Sequence, residues 1–142
     1  AVRTGGGQNH RFGLHDMVMI KDNHIQIAGS ITEAVNRARD KRKRNFIEVE
    51  VRTMSELKEA LALSVNRIML DNMNMNQVAQ AIALVRSTPG TVEIEISGGV
   101  ETQDIEELAS SGADFVSVGA LTHSARALDI AMKMKPLGPK AI

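Results

Sequence analysis

Five short apolar runs recur along the chain, beginning at Met17, Phe46, Ile68, Val92 and Phe115, at intervals of 29, 22, 24 and 23 residues. Such an interval holds one strand, one helix and two short connections, with little to spare. The runs themselves, Met17–Lys21, Phe46–Val51, Ile68–Asp71, Val92–Ser97 and Phe115–Gly119, are rich in Ile, Val and Met and read as buried strands. Between them the periodicity predicts helices over about Ile31–Arg44, Met54–Leu63, Met75–Ser87 and Gln103–Ser110, and a last one beginning near Leu121. Three have start signals, Ser30 with Glu33, Thr53 with Glu56 and Asn74 with Gln77, in which side chains satisfy first-turn amides. Leu63–Asn66 before the third strand echoes Ser111–Asp114 before the fifth, and Gly112 is a natural left-handed cap. Serial units of this size call for a parallel sheet, because a parallel neighbour can be reached only through a crossover.

The chain has 142 residues, too few for a complete eight-unit barrel of roughly 250. The expected fold class is α/β: parallel (β/α) units forming the larger part of an open TIM-like α/β barrel. The N-terminal domain and first strands of such a barrel are expected to be absent from this chain. The start fits, since the chain has no initiator Met and enters on a polar triple-glycine loop, as if in mid-fold. An open Rossmann-like sheet is the alternative, because periodicity does not separate the two. No linker divides the sequence. Residues 1–135 are read as one barrel portion and 136–142 as a flexible tail.

Composition narrows the function classes. Seventeen basic and seventeen acidic residues cancel, and there are three Phe with no Tyr or Trp, which disfavours nucleic acid as a partner. The basic run Lys41–Arg44 falls at a helix C-terminus, where cations complement the dipole, and reads as a solvated face. Without cysteine there is no disulfide, thiolate metal site or thiol nucleophile. No apolar run reaches the ~18 residues of a membrane span, so no membrane partner is expected and the setting is read as cytoplasmic.

Polar residues gather at the strand ends. The first strand ends in Lys21-Asp22-Asn23-His24, the second carries Glu48 and Glu50, and the third ends in Asp71-Asn72. The fourth carries Glu95 and then Ser97-Gly98-Gly99, and the fifth ends in Gly119, followed by Thr122-His123. In a parallel βα fold these ends open on one face, where ligands bind. Glu48 and Glu50 share a strand face and point to a ligand, metal or catalytic role; the plainer reading is an internal ion pair, for example with Lys21. Asp71 is placed similarly, and two carboxylates with one Lys can hold a divalent cation together with an anionic substrate. Ser97, Gly98, Gly99 and Gly119 suit a phosphate cradle, with His123 a further donor or a cap of its own helix. His10, Arg11 and Lys21 bring positive charge suited to a carboxylate-bearing substrate. His15 reads as structural, and His24 as orienting the Lys21-Asp22 loop. The eight Met are packing residues rather than a soft-metal site.

The ordered set Gly5-Gly6-Gly7-Gln8-Asn9-His10-Arg11, Ile20-Lys21-Asp22-Asn23-His24-Ile25 and Glu48-Val49-Glu50-Val51 closely resembles quinolinate phosphoribosyltransferase. Met69-Leu70-Asp71-Asn72-Met73, Ser97-Gly98-Gly99-Val100 and Val118 through Ser124 continue the match over virtually the whole chain. The family is also called nicotinate-nucleotide pyrophosphorylase, carboxylating. The resemblance implies a pentosyltransferase of NAD biosynthesis that joins quinolinate to 5-phosphoribosyl-1-pyrophosphate and releases pyrophosphate and CO2, giving nicotinate mononucleotide. It implies that His10, Arg11 and Lys21 meet the quinolinate carboxylates. Glu50 and Asp71 would serve the Mg2+-bound ribosyl pyrophosphate, with Lys21, Glu50 and Asp71 the catalytic set. Ser97, Gly98, Gly99, Gly119 and His123 would line phosphate sites.

It also implies a homodimer or higher oligomer, and a missing N-terminal sandwich domain that brings further basic residues to the substrates. Two departures stand out: Ser64 lies where the family usually has Gly, and Ile96 where a smaller residue is commoner. A transferase acting on nicotinate, with one carboxylate fewer, is the enzymatic alternative. A non-catalytic binding or structural module that retains the site is the other.

Overall fold

The computed structural model describes residues 1–41, 46–135 and 138. Five parallel strands, β1 (Met17–Ile20), β2 (Phe46–Val51), β3 (Arg67–Asp71), β4 (Glu93–Ser97) and β5 (Phe115–Val116), form one sheet in the order β1-β2-β3-β4-β5. The helices are α1 (Asp22–Ala28), α2 (Ile31–Lys41), α3 (Met54–Ala62), α4 (Met75–Ser87), α5 (Ile105–Ala109, entered through a 3-10 turn) and α6 (Ala120–His123). A doubly wound sheet reverses its strand order at a switch point. This sheet never does. It advances one strand at a time in one direction, the winding of an open TIM-like barrel, and the Rossmann-like alternative falls.

Right-handed crossovers in a sheet wound one way leave all the helices on one face. Side-chain alternation then sorts each strand into two sets. Ile47, Val49, Val51, Ile68, Leu70, Ile94 and Ile96 pack against Val35 of α2, Leu57 of α3, Val78, Ile82 and Val85 of α4 and Leu108 of α5. This is the hydrophobic core. The opposite face carries Met19, Glu48, Glu50, Arg67, Met69, Asp71, Glu95 and Ser97, and the register Met19↔Glu48↔Arg67↔Glu93 and Glu50↔Met69↔Glu95↔Phe115 sets them in rows. Ile96 belongs to the helix-facing set and is buried.

The start signals behave as their chemistry dictates. Thr53 Oγ1 accepts from the Glu56 amide at 3.2 Å while Glu56 accepts from the Thr53 amide at 3.1 Å. Asn74 and Gln77 exchange the same pair of bonds at 3.0 Å, and Ser30 accepts from the Glu33 amide. The internal echo also has a physical content. Asn66 brackets Ile47, donating its amide to the Ile47 carbonyl and accepting the Ile47 amide on Oδ1. Asp114 brackets Ile94 in the same manner. Two residues before each bracket the backbone is left-handed, at Ser64 (φ 50°) and Gly112 (φ 92°). Ser64 therefore occupies the conformation that favours glycine.

Two expectations need correction. Residues 22–28 form a helix, α1, where a polar loop was expected. It starts on Lys21, whose amide donates to His24 Nδ1 at 3.0 Å, and closes on left-handed Gly29. None of its side chains is fully buried, and Ile25 and Ala28, which pack partly on the core, make too short an apolar stripe to reveal it. β5 is two residues long, and Ser117–Gly119 leave the sheet after the Ser117 amide bonds the Ile96 carbonyl. The last helix, expected near Leu121, starts at Ala120. The end of the expected Ile31–Arg44 helix beyond Lys41, most of the basic run and the 136–142 tail, Gly138 apart, lie outside the described residues. Among the described residues no helix is long and apolar enough to cross a membrane.

Leu70 is fully buried at the centre of the sheet. Replacing it with Ala is expected to cost about 2–5 kcal/mol, seen as a lowered urea midpoint with an unchanged slope.

Candidate active site

Four buried carboxylates, Glu48, Glu50, Asp71 and Glu95, lie on the face of the sheet that no helix covers. An unpaired buried charge costs several kcal/mol, and each of the four has a cationic neighbour. The pairs form two layers.

The deeper layer is built on Glu48 and Glu95. The loop after Gly7 folds over the sheet and delivers His10, whose Nε2 lies 3.0 Å from Glu48 Oε2 and 3.6 Å from Glu95 Oε2. Arg67, at the start of β3, donates to Glu95 at 3.1 Å and to Glu93 at 2.7 Å. Its guanidinium stacks between Phe115, 4.1 Å from the ring centroid, and Phe46, at 5.2 Å. Ser117 donates to the other oxygen of Glu95, and Glu48 Oε1 is buried without a hydrogen-bond partner. The hydrogen bond from Glu48 raises the His10 pKa above the ordinary histidine value, against the opposing effect of burial. Burial raises that of Glu95, and the charge of Glu48 adds to it.

The outer layer stands at the C-terminal strand ends. Lys21 Nζ is 2.9 Å from Glu50 Oε2, the internal ion pair anticipated as the plainer reading. Arg52, just past β2, donates through Nε to Asp71 at 3.0 Å, through Nη1 to Asp22 at 3.1 Å and through Nη2 to Glu50 at 3.4 Å. Asn72 Nδ2 donates to the same Asp71 oxygen at 2.9 Å. Asn72 is itself left-handed (φ 54°), and its amide bonds the Ser97 carbonyl. Gly98 (φ 95°) lies directly against it, where a Cβ would stand 2.6 Å from the Asn72 amide nitrogen. A structural demand for glycine at 98 is thus present whatever binds there.

An open cleft of about 800 Å3 lies between the His10 loop and the chain after β5; His10, Arg11, Arg67, Glu95, Ser117 and Gly119 are among its lining residues. Ser97 pairs with Asp71 across β3 and β4, while Ser97, Gly98 and Gly99 are not part of this lining. His123 is exposed and bonds Ser124 Oγ at 2.7 Å. His15 pairs with Asp16 at 3.0 Å on the surface. A smaller pocket of about 190 Å3 lies at the opposite end of the strands from Glu50 and Asp71, around Ser64–Asn66 and Thr88–Val92.

Arg52 and Arg67 were missed from sequence. Strand alternation could have found both, since Arg52 follows Glu48 and Glu50 in steps of two and Arg67 precedes Met69 and Asp71. The expected cation site also differs. Among the described residues, the three groups able to converge on one ion are His10, Glu48 and Glu95, with ligand atoms within 4.8 Å of one another. Between Glu50 and Asp71, the expected pair, stands the Arg52 guanidinium. The all-oxygen pair nonetheless suits Mg2+ better than the histidine-bearing cluster, and the guanidinium it holds is a stand-in that shows its demand for positive charge.

Comparison with known proteins agrees with this architecture. The family described as "Quinolinate phosphoribosyl transferase, C-terminal domain" matches residues 1–133. A probable nicotinate-nucleotide pyrophosphorylase [carboxylating] of Bacillus subtilis (strain 168) is 44% identical over 133 residues, covering 93% of this chain and 45% of that protein. The chloroplastic nicotinate-nucleotide pyrophosphorylase [carboxylating] of Arabidopsis thaliana is 42% identical over 153 residues, covering 94% and 43%. The crystal structure of NadC from Streptococcus pyogenes superimposes with a TM-score of 0.85 at 45% identity, covering 94% of this chain and 46% of that one. The chain thus spans less than half the length of the relatives it matches. With the family's domain matched almost end to end and the one-way sheet shared with its solved structures, this chain belongs to the quinolinate phosphoribosyltransferase family.

Proposed function

We propose that this chain carries the larger part of a site that transfers the phosphoribosyl group of 5-phosphoribosyl-1-pyrophosphate to quinolinate, with loss of CO2, giving nicotinate mononucleotide and pyrophosphate. The observation that carries the reading is the outer ring of Lys21, Glu50, Arg52 and Asp71 at the strand ends, beside a loop that presents His10 and Arg11 to an open cleft. A doubly charged pyridine dicarboxylate needs several cationic donors, and His10, Arg11 and Lys21 supply three from two segments. Two buried carboxylates near the anomeric carbon stabilise the positive charge that develops there as pyrophosphate departs. Mg2+, held by Glu50 and Asp71 directly or through water, would neutralise that leaving group. Ser97, Gly98, Gly99, Gly119 and His123 would take phosphate oxygens. Decarboxylation next to the quaternised ring nitrogen then needs mainly orientation, which the His10–Glu48 bond supplies by fixing the substrate-facing loop to the sheet.

In this reading residues 1–135 are the C-terminal portion of the barrel. They work with a preceding segment that brings further basic groups, in a homodimer or higher oligomer. This chain alone is then expected not to turn over.

In the polypeptide that joins this chain to such a preceding segment, Glu50→Gln and Asp71→Asn are each expected to lower kcat/KM by about 100-fold or more, measured as nicotinate mononucleotide formed from the two substrates and Mg2+. No product from the unsubstituted polypeptide overturns the reading, and product from nicotinate rather than quinolinate would favour the transferase with one carboxylate fewer.

His10 gives a pH prediction. Its folded-state pKa is raised by Glu48, so the ion pair stabilises the fold fully below the unfolded histidine value of about 6.5 and is lost as pH rises through the raised value. An NMR titration of the His10 ring should show a midpoint above that of free histidine, and Glu48→Gln should bring it down. A midpoint unmoved by Glu48→Gln would mean that Glu48 does not hold the ring.

A further inference from the structure

Arg52 is held by nothing but carboxylates. Its three nitrogens reach Asp22 of α1, Glu50 of β2 and Asp71 of β3, at 3.1, 3.4 and 3.0 Å. Glu50 and Asp71 are buried, whereas the Arg52 side chain is 51% exposed. The guanidinium thus caps the pair from the solvent side, where a small cation arriving from water would have to enter. A guanidinium stays charged at every working pH. It cannot leave by losing a proton. It can only swing away, and its exposure makes that exchange inexpensive, since contacts at the surface are largely screened.

Charge counting favours exchange over coexistence. Asp22, Glu50 and Asp71 carry three negative charges, and Lys21 and Arg52 two positive ones, so the ring as it stands is one unit negative. A divalent cation added to all of these would leave it one unit positive, with two cations crowded on the same oxygens. A divalent cation that replaces Arg52 leaves the ring neutral, with the buried Glu50 and Asp71 still paired and the half-exposed Asp22 returned to water. The fork geometry points the same way, since Arg52 bridges the two oxygens, Glu50 Oε1 and Asp71 Oδ2, that an ion between the strands would need.

We propose that Arg52 is a tethered counter-cation of the Glu50–Asp71 pair, displaced when a divalent cation binds, and that it thereby sets the affinity of this site for the ion. The inference rests on the proposed role of Glu50 and Asp71 in binding a divalent cation. It goes beyond that role in assigning a competitor built into the chain. Its consequence is that the protein holds its ion weakly on its own, so that an ion arriving already bound to a polyphosphate substrate has the advantage over free ion.

The test is binding of Mn2+, as a probe for the divalent site, to the protein without either substrate, read as free Mn2+ by electron paramagnetic resonance. Arg52→Gln is expected to bind Mn2+ about tenfold tighter than the unsubstituted protein, and Arg52→Lys about threefold tighter, because an ammonium keeps the charge but loses the three-way fork. Adding Glu50→Gln to Arg52→Gln should abolish the gain. Circular dichroism establishes that each variant is folded; should Arg52→Gln not fold, the threefold effect of Arg52→Lys decides. Equal or weaker Mn2+ binding on removal of the guanidinium, with a site still lost in Asp71→Asn, overturns this inference alone. No saturable Mn2+ binding dependent on Glu50 or Asp71 in any form overturns both the inference and the divalent-cation role it rests on.

Discussion

The structure depends on a sheet that winds in one direction. The crossover helices α2–α5 then pack on one face, and the other is left with side chains that none of them covers. Here that face holds four buried carboxylates, and their neutralisation organises everything around it. Apolar packing holds α1 only in part, through half-buried Ile25 and Ala28 on the core, and leaves Ile27 81% exposed. Ionic ties add to it: Lys21 at its entry pairs with Glu50, and Asp22 in its first turn pairs with Arg52. The first loop is tied to the sheet through His10 on Glu48. Segments with little apolar burial are thus placed partly by charge.

The two layers differ in how readily they could change partners. In the deeper one, Arg67 is clamped by Glu93, Glu95 and two phenylalanine rings, with a side chain only 13% exposed. Removing any member would strand a charge in a water-poor environment, which is far costlier than the pair is worth. In the outer layer Lys21 and Arg52 are about half exposed, and water or an incoming ion can replace them. A fixed floor beneath an exchangeable rim is a sound arrangement for a site that must discharge and recharge around anionic ligands. It also makes the buried, unpartnered oxygen of Glu48 a property of the floor.

The sequence was legible where a repeating physical rule applied. Period-two alternation in Phe46–Val51 and Glu93–Ser97, and side chains three residues apart at Thr53 and Asn74, led to the correct strands and caps because each depends only on local geometry. The placement of Glu48 with Glu50 on one face followed for the same reason. Strand order did not, since the signal for a crossover is the same whether the sheet winds one way or two. Nor did the grouping around Arg52, whose partners come from positions 22, 50 and 71 and meet only once three units have stacked. Arg67 was hidden differently: as the first residue of a strand it looks like a boundary charge, although its spacing from Met69 and Asp71 already sets it on their face, where it pairs with Glu93 and Glu95.

The opposite end of the strands shows why chemistry could vary at one end alone. There Asn66 and Asp114 bracket the neighbouring strand with the same two bonds, and an arginine from a preceding helix ties each turn, Arg39 to the Leu63 and Ser64 carbonyls and Arg86 to the Gly112 carbonyl. The turns before β3 and β5 repeat because their work is the same: to end a helix, turn left-handed and restart a strand in register. Ser64 meets that demand without being glycine, at a cost of about 1 kcal/mol for its left-handed backbone. Such a cost falls on stability and not on the site, because about five residues of strand separate Ser64 from Asp71. At the site end the corresponding left-handed residues, Asn72 and Gly98, touch each other and set the angles at which Asp71 and Ser97 leave the sheet. A similar substitution there would be felt at the carboxylates themselves. The same backbone device therefore maintains the fold at one end of the sheet and aims the functional groups at the other.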